Sequence, residues 1–238
     1  MSDAIAYRRA VRVFRDTPID PEQVRKCIAN GVLAPTSSNL QLWEFIHVTS
    51  PELRSRLTEA CFGQNAAKTA QQLVVVVARR DAWRQRSRAN IAFLEAQFEG
   101  VSGEKWKRRR RFALNYYRKL IPTLYLEFFG ILGWVRYLFF SVLGFFRPVY
   151  RQVRLSDMRV VAHKSAALAA ENFMVSMAAI GYDTCPMEGF DSLRVKRALK
   201  LPAAAEVTMV IGCGVRDAEK GVYGPRFRIP FEQVYEQR

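Results

Sequence analysis

The sequence predicts an α+β sandwich, and three observations carry that prediction. Two continuous apolar runs rich in β-branched residues, LVVVVA (Leu73–Ala78) and EVTMVIGCG (Glu206–Gly214), have the pattern of strands buried on both faces. Capped helical segments flank them, in an order without the regular βαβ alternation of a doubly wound sheet. GCG at Gly212–Gly214 stops short of the full GxGxxG, which excludes a Rossmann dinucleotide site.

Taken in order, Asp20 followed by Pro21 is an N-cap with proline at the first helical position. Val24, Cys27, Ile28 and Val32 then recur at helical spacing, and the helix should end near Ala34, before Pro35. FIHV (Phe45–Val48) reads as a short strand, and Ser50 with Pro51 opens a second helix through about Phe62. A long helix should cover Met158 to Ile180, with Gly181 as its C-terminal stop. Its alanines at 166, 167, 169, 170, 178 and 179 permit close helix packing, including packing across a dimer. Asp191 should cap a helix from Ser192 to about Leu199.

The 238 residues, half of them hydrophobic, suffice for a substantial core, and no Gly/Ser-rich or Pro-rich linker divides them. A single unit is therefore expected. Four scattered cysteines without CxxC spacing and two histidines read as reduced core thiols without a metal site. The first residues lack the apolar core of a signal peptide, so a cytoplasmic location is expected. Net charge is +15, but residues 101–155 hold twelve Lys and Arg against two Glu, which is +10 of it. Basicity therefore belongs to one segment, and a nucleic-acid role for the whole chain is disfavoured.

Four runs in chain order, YRRAVRVF (Tyr7–Phe14), APTSSNLQLWEF (Ala34–Phe45), PMEGFD (Pro186–Asp191) and RFRIP (Arg226–Pro230), resemble the FMN-dependent nitroreductase family. The resemblance covers everything outside residues 101–155, and because its runs lie at both ends of the chain it implies a single domain, 1–238, with those residues as a helical insertion. It implies a three-layer sandwich with a central mixed, mostly antiparallel sheet flanked by helices, and a homodimer with FMN at the subunit interface. It also implies NAD(P)H as electron donor, an electron-poor acceptor of nitroaromatic or quinone type, and two-step hydride exchange through flavin N5.

Residue roles follow from the same resemblance. Arg8, Arg9 and Arg12, with the backbone of Ala10 where the family commonly has Ser, would meet the phosphate and a ring carbonyl. Arg226 and Arg228, alternating around Phe227 in an extended segment, would join them at the phosphate. Asn65 and Lys68, in NxxK spacing, would meet the flavin edge, where a positive charge raises the potential. Pro35, Thr36, Ser37, Ser38, Asn39 and Gln41 would form a turn serving the neighbouring subunit's flavin, with Leu42 replacing a usual proline. Pro186, Met187, Glu188 and Gly189 would bring peptide N–H groups to the flavin ring, and the amides of Glu188 and Gly189 are the nearest to a catalytic feature. Dehalogenating relatives place an acid one turn before an Asn-Tyr pair; Asn115 and Tyr116 are present, but Phe112 stands in place of the acid.

The insertion combines a basic, aromatic stretch, WKRRRRFALNYYRKL, with an apolar one, Ile121–Phe146, interrupted by Glu127 and Arg136. About 20 apolar residues would cross a bilayer, but a central charge costs about 3 kcal/mol on insertion scales. An interfacial pair of amphipathic helices meeting anionic headgroups fits better, with residues 104–154 peripheral on the inner face of a membrane and a lipophilic acceptor. Lid helices packed at a dimer interface are the alternative for the segment. A flavin-binding or membrane-associated adaptor whose redox activity has lapsed is the alternative for the whole chain.

Overall fold

A computed structural model describes all residues, 1–238. In chain order its elements are α1 (Ser2–Tyr7), α2 (Pro21–Gly31), β1 (Trp43–Val48), α3 (Pro51–Ala60), α4 (Asn65–Lys68), β2 (Gln72–Ala78), α5 (Trp83–Gln97), α6 (Glu104–Asn115), α7 (Ile121–Tyr125), α8 (Ile131–Leu143), α9 (Leu155–Ala179), β3 (Asp183–Met187), α10 (Ser192–Ala198) and β4 (Glu206–Gly214). A π turn, Tyr116–Leu120, joins α6 to α7.

The four strands form one sheet in the order β1-β2-β4-β3, every pair antiparallel. The parallel component expected of a mixed sheet is confined to one isolated bridge, Ala10 to Thr184. Alternation along β2 explains the layers. Leu73, Val75 and Val77 face a core built with α3, α4, α10 and the segment Val11–Phe14, whereas Val74 and Val76 face one built with α2 and α9. The sheet is thus sandwiched between helices, and the Leu73–Val77 run is fully buried. Each such side chain contributes about 1.5–3 kcal/mol relative to exposure.

The expected caps form. Asp20 accepts from the Glu22 N–H at 2.9 Å, Ser50 from Leu53, and Asp191 from both Leu193 and Arg194. The long helix starts earlier than its apolar periodicity suggests, because the Asp157 carboxylate accepts from the Arg154 N–H at 3.0 Å and closes a capping box. It ends at Gly181, whose φ of 79° permits the Tyr182 N–H to reach back to the Met177 carbonyl.

Three of the alanines of α9 pack closely within the chain, while Ala167 and Ala179 are exposed. Ala166, Ala169 and Ala170 are buried in the core shared with α2, where a Cβ on Gly31 would lie 3.0 Å from the Ala169 carbonyl oxygen. RFRIP is not a strand: residues 226–230 run as coil into a 3-10 turn at Phe231–Gln233, and Phe227, Ile229, Phe231, Val234 and Tyr235 are exposed. All four cysteines are buried and unpaired, and burial pushes the Cys61 thiol up to about 11.

A third core lies beneath the insertion, where Leu40, Leu42, Trp83, Ile121, Tyr125 and Met158 pack together. The departure at Leu42 is therefore a core residue, and its carbonyl accepts from Arg79.

Candidate functional site

The N-terminal segment is threaded beside β3 by its own backbone. The Val11 N–H donates to the Thr184 carbonyl at 3.1 Å and the Arg12 N–H to that of Gly221 at 2.7 Å. A buried anchor fixes the same corner: Asp183, 2% exposed, accepts from the Arg216 N–H and guanidinium, and that guanidinium lies 4.2 Å from the Tyr7 ring centroid. Two residues forming a charge-assisted network at the base of a strand hold Arg8 to Arg12 opposite residues 221–228.

Between these segments lies a cavity of about 280 Å³ bordered by Arg8, Arg9, Ala10, Arg12, Arg226 and Arg228, with Val222, Tyr223 and Phe227. All five predicted arginines meet there. Phe227 borders the same cavity, so the strict alternation expected of an extended strand is not kept, for want of a partner strand to pleat it. Of the five guanidiniums only Arg8 has a carboxylate partner, Glu171 at 3.1 Å. Arg226 is instead tied to the backbone, donating to the carbonyls of Ala6 and Arg8, and Arg9 donates to that of Gly224. Desolvation first, and then Arg228, Arg9 and Arg8, hold Arg226 below the usual arginine range. Such a crowd of cations around a hollow is complementary to a polyanion.

β3 leads from this cavity to the second predicted feature. Ala10 is bridged to Thr184, and five residues on, roughly 16 Å along an extended strand, stands Gly189. Pro186 and Met187 are the end of the strand; Glu188 and Gly189 are exposed, and their N–H groups donate to no carbonyl of the chain. A Cβ on Gly189 would meet only the Gln64 amide, at 3.5 Å, so this backbone is open to close approach. Gln64 donates to the Gly189 carbonyl at 2.6 Å, which sets the start of α4, and with it the exposed Asn65 and Lys68, beside the loop. Lys68 itself borders a groove against α3, with Arg54 and Thr58. The Glu188 side chain borders another, with Arg159, His163, Lys164 and Thr208.

The turn Pro35–Gln41 lies elsewhere, under the insertion. Ser38, Asn39 and Gln41 have φ of 54°, 48° and 48°, three left-handed non-glycine residues in one turn, a conformation that persists only where surroundings over-determine it. They do so here: Ser38 Oγ lies 2.6 Å from Tyr116 Oη, Tyr117 Oη donates to the Ser38 carbonyl, and Asn39 and Asn90 exchange two 2.9 Å hydrogen bonds. Thr36 Oγ1 accepts from the Gln41 N–H. Within one chain, therefore, the arginines and the Gly189 loop are joined by β3, while the turn packs against Tyr116 and Tyr117.

Beside that turn is an apolar cavity of about 320 Å³, lined by Ser37, Ser38, Tyr116, Leu120, Leu124, Tyr125, Phe140, Tyr150, Val153, Met158 and Val161. Burial, and then the neighbouring phenols of Tyr150 and Tyr116, push Tyr125 up to about 12. Gln64, Glu171 and Asn90 escaped the sequence reading. Gln64 adjoins Asn65 and was within reach; Glu171 and Asn90 sit mid-helix, where a polar side chain signals nothing by spacing.

The sequence model of the nitroreductase family matches residues 5–215. Protein DrgA of Synechocystis sp. is 29% identical over 215 residues, 90% of this chain and 83% of that protein. A Thermus thermophilus protein named NADH dehydrogenase is 26% identical over 233 residues, 97% of this chain and 92% of its own length. An Exiguobacterium sibiricum protein crystallised in complex with FMN superposes with a TM-score of 0.66 at 18% identity, covering 100% of this chain and 96% of that one. With the family model spanning the whole of the sandwich and the lid, this chain belongs to the nitroreductase family.

Proposed function

We propose that this protein is an FMN-dependent oxidoreductase that takes electrons from NAD(P)H and reduces an electron-poor acceptor of nitroaromatic or quinone type. The observation that carries the reading is the convergence of Arg8, Arg9, Arg12, Arg226 and Arg228 on one cavity in which only Arg8 has a carboxylate partner. Half-buried cations without a carboxylate partner, here Arg9 and Arg12, raise the free energy of the fold unless an anion joins them, and a phosphate monoester is matched to guanidinium forks.

The residues present fit FMN along its length. The arginines would hold the phosphate, Ala10 would offer its backbone, and the amides of Glu188 and Gly189 would face the polar edge of the ring. Asn65 and Lys68 lie next to that loop through Gln64, where a cation favours the reduced, anionic cofactor. When bound, FMN supplies hydride acceptance from the nicotinamide and delivery to the acceptor. The chain's own contribution is to orient the ring, to donate hydrogen bonds from the loop, and to keep the acceptor cavity dry with Leu120, Leu124, Tyr125 and Met158.

The reading includes a homodimer in which the turn Pro35–Gln41 of one protomer serves the partner's cofactor. Supporting it are the separation of that turn from the arginines within one chain and the exposed apolar side chains of the C-terminal segment from Phe227 to Tyr235. It also includes a lipophilic acceptor, supported by the apolar cavity, and a peripheral seat for residues 104–154 on a membrane. No helix is long and apolar enough to cross one.

Anaerobic titration tests the central reading. The purified protein should carry a flavin band near about 450 nm that bleaches on addition of NADH or NADPH and returns with a quinone or nitroaromatic. A protein that takes up no FMN, or whose bound FMN neither nicotinamide reduces, refutes it.

A further inference from the structure

We infer that α8 lies flat in the interfacial layer of an anionic bilayer, with Ile131, Trp134, Val135, Leu138, Phe139 and Val142 facing the lipid. The inference rests on the peripheral membrane seat proposed above and names the surface that makes it.

The six side chains recur at i, i+3, i+4, i+7, i+8 and i+11, one stripe of a helix, and each is between 56% and 62% exposed. The stripe runs on into exposed Phe145 and Phe146 at its C-terminal end and Phe128 and Phe129 before its start. Contiguous apolar surface of this kind marks a docking face.

The charge that interrupts the apolar stretch in the sequence does not lie on the stripe. Arg136 is turned into the insertion, paired with Glu127, and its guanidinium donates to the carbonyls of Thr123, Leu126 and Val153 at 2.7–3.3 Å. Gly133 is buried on the same inner side, where a Cβ would lie 3.0 Å from the Leu155 nitrogen. Polar groups thus fold inward and the outer face is uninterrupted hydrocarbon and ring.

Geometry and charge select the occupant. Thirteen residues of helix span about 20 Å, short of the roughly 30 Å of a hydrocarbon core, so α8 can lie on a membrane but not cross it. Exposed cations flank it in the sequence: Arg108 to Arg111 along α6, Lys119 in the π turn, Arg147 and Arg151 after α8. Arg154 sits 5.6 Å from the Trp134 ring centroid, at the edge of the stripe. A second copy of the chain would bring two such cationic segments together, whereas an anionic headgroup layer is complementary, each contact strengthening partition by roughly fivefold. Phe140, one residue beyond the stripe, turns inward and lines the 320 Å³ cavity. The helix therefore separates lipid from the acceptor cavity by its own thickness.

The test is co-sedimentation of the full, cofactor-loaded protein with vesicles of phosphatidylcholine alone or with phosphatidylglycerol, at low and high salt. Wild type should bind the anionic vesicles at least tenfold better, and brominated acyl chains should quench a fluorescence component absent from the conservative variant Trp134→Phe. The double variant Trp134→Glu, Phe139→Glu, both residues exposed and outside the cavity, should lose binding at least tenfold while its circular dichroism and thermal transition are kept. Binding unaffected by the double variant would mean charge adsorption alone; absence of binding, or a loss of oligomer mass in the double variant without any vesicle effect, would mean no lipid-facing α8. Each of these overturns the inference. None of the readouts uses a nicotinamide, so the redox reading and the membrane surface can fail separately.

Discussion

Replacing Arg228 by alanine isolates the phosphate-binding role of the arginine cavity. Arg226 is unsuited to this because its guanidinium also holds the backbone at Ala6 and Arg8, and Arg8 is paired with Glu171. Arg228 is exposed, lines the cavity, lacks a carboxylate partner, and makes its one hydrogen bond to the neighbouring Phe227 carbonyl at 2.7 Å. A hydrogen bond to a charged group contributes about 1.5–3 kcal/mol, so FMN affinity should fall roughly 10- to 150-fold. At an FMN concentration a thousand times the wild-type Kd, ligand stabilisation of about 4 kcal/mol would drop to about 2 kcal/mol for a thirtyfold loss. The apoprotein should respond oppositely: with one cation fewer facing Arg226 and Arg9, its Tm should stay level or rise. Flavin fluorescence titration of the apoprotein gives Kd, and calorimetry with and without FMN gives the two Tm values. An affinity within twofold of wild type, or an apoprotein that loses stability, would refute a phosphate site here.

Other sites give separate outcomes. Gly189→Val should leave the apo Tm unchanged, since a Cβ there meets only the Gln64 amide, yet weaken FMN about tenfold or more in the same titration by covering the loop N–H groups. Arg136→Ala would strand Glu127, whose Oε2 already lacks a partner, and breaking so buried a pair costs about 3–5 kcal/mol; hydrogen exchange should show α8 opening while β2 stays protected. Burial pushes the Glu206 carboxyl up, but hydrogen bonds from Arg159 and His163 outweigh it and hold the group below the usual range. Its stabilising effect is therefore present above the ordinary glutamate pKa of about 4.3 and lost as pH falls through the lower folded value. Glu206→Gln should be less stable than wild type at neutral pH, by at most about 1 kcal/mol, with the difference closing in acid denaturation curves.

Much of the sandwich was readable because its signals are local. β4 coincides with the β-branched run that predicts it and β2 exceeds its run by one residue, and three helices begin at the Asp or Ser that caps them. What escaped is what depends on partners distant in sequence. α5 has only a weak apolar stripe, because its inner face carries Ser87 and Asn90, which bond to the Tyr117 carbonyl and to Asn39. The apolar stretch of the insertion looked interrupted by two charges, and only their mutual pairing shows that the outward face of α8 is free of them. Within the site, the runs that resemble the family named the arginines, but the anchor that sets them in place, Asp183 with Arg216, joins residues 33 apart and belongs to none of those runs.

The π turn at Tyr116–Leu120 gives the lid an adjustable joint. A π turn accommodates one residue more than regular α-helix, and one residue is about 100° of azimuth. The wide turn takes up that surplus residue locally, so Leu124 and Tyr125 keep nearly the heading over Ser37 and Ser38 that an uninterrupted helix would give them. Deleting one position between Tyr116 and Leu120 would therefore return the joint to regular helix with Leu124 and Tyr125 on nearly their present heading, so a joint of this construction can lose or gain a residue by single-codon steps, leaving the sheet and the arginines beneath untouched.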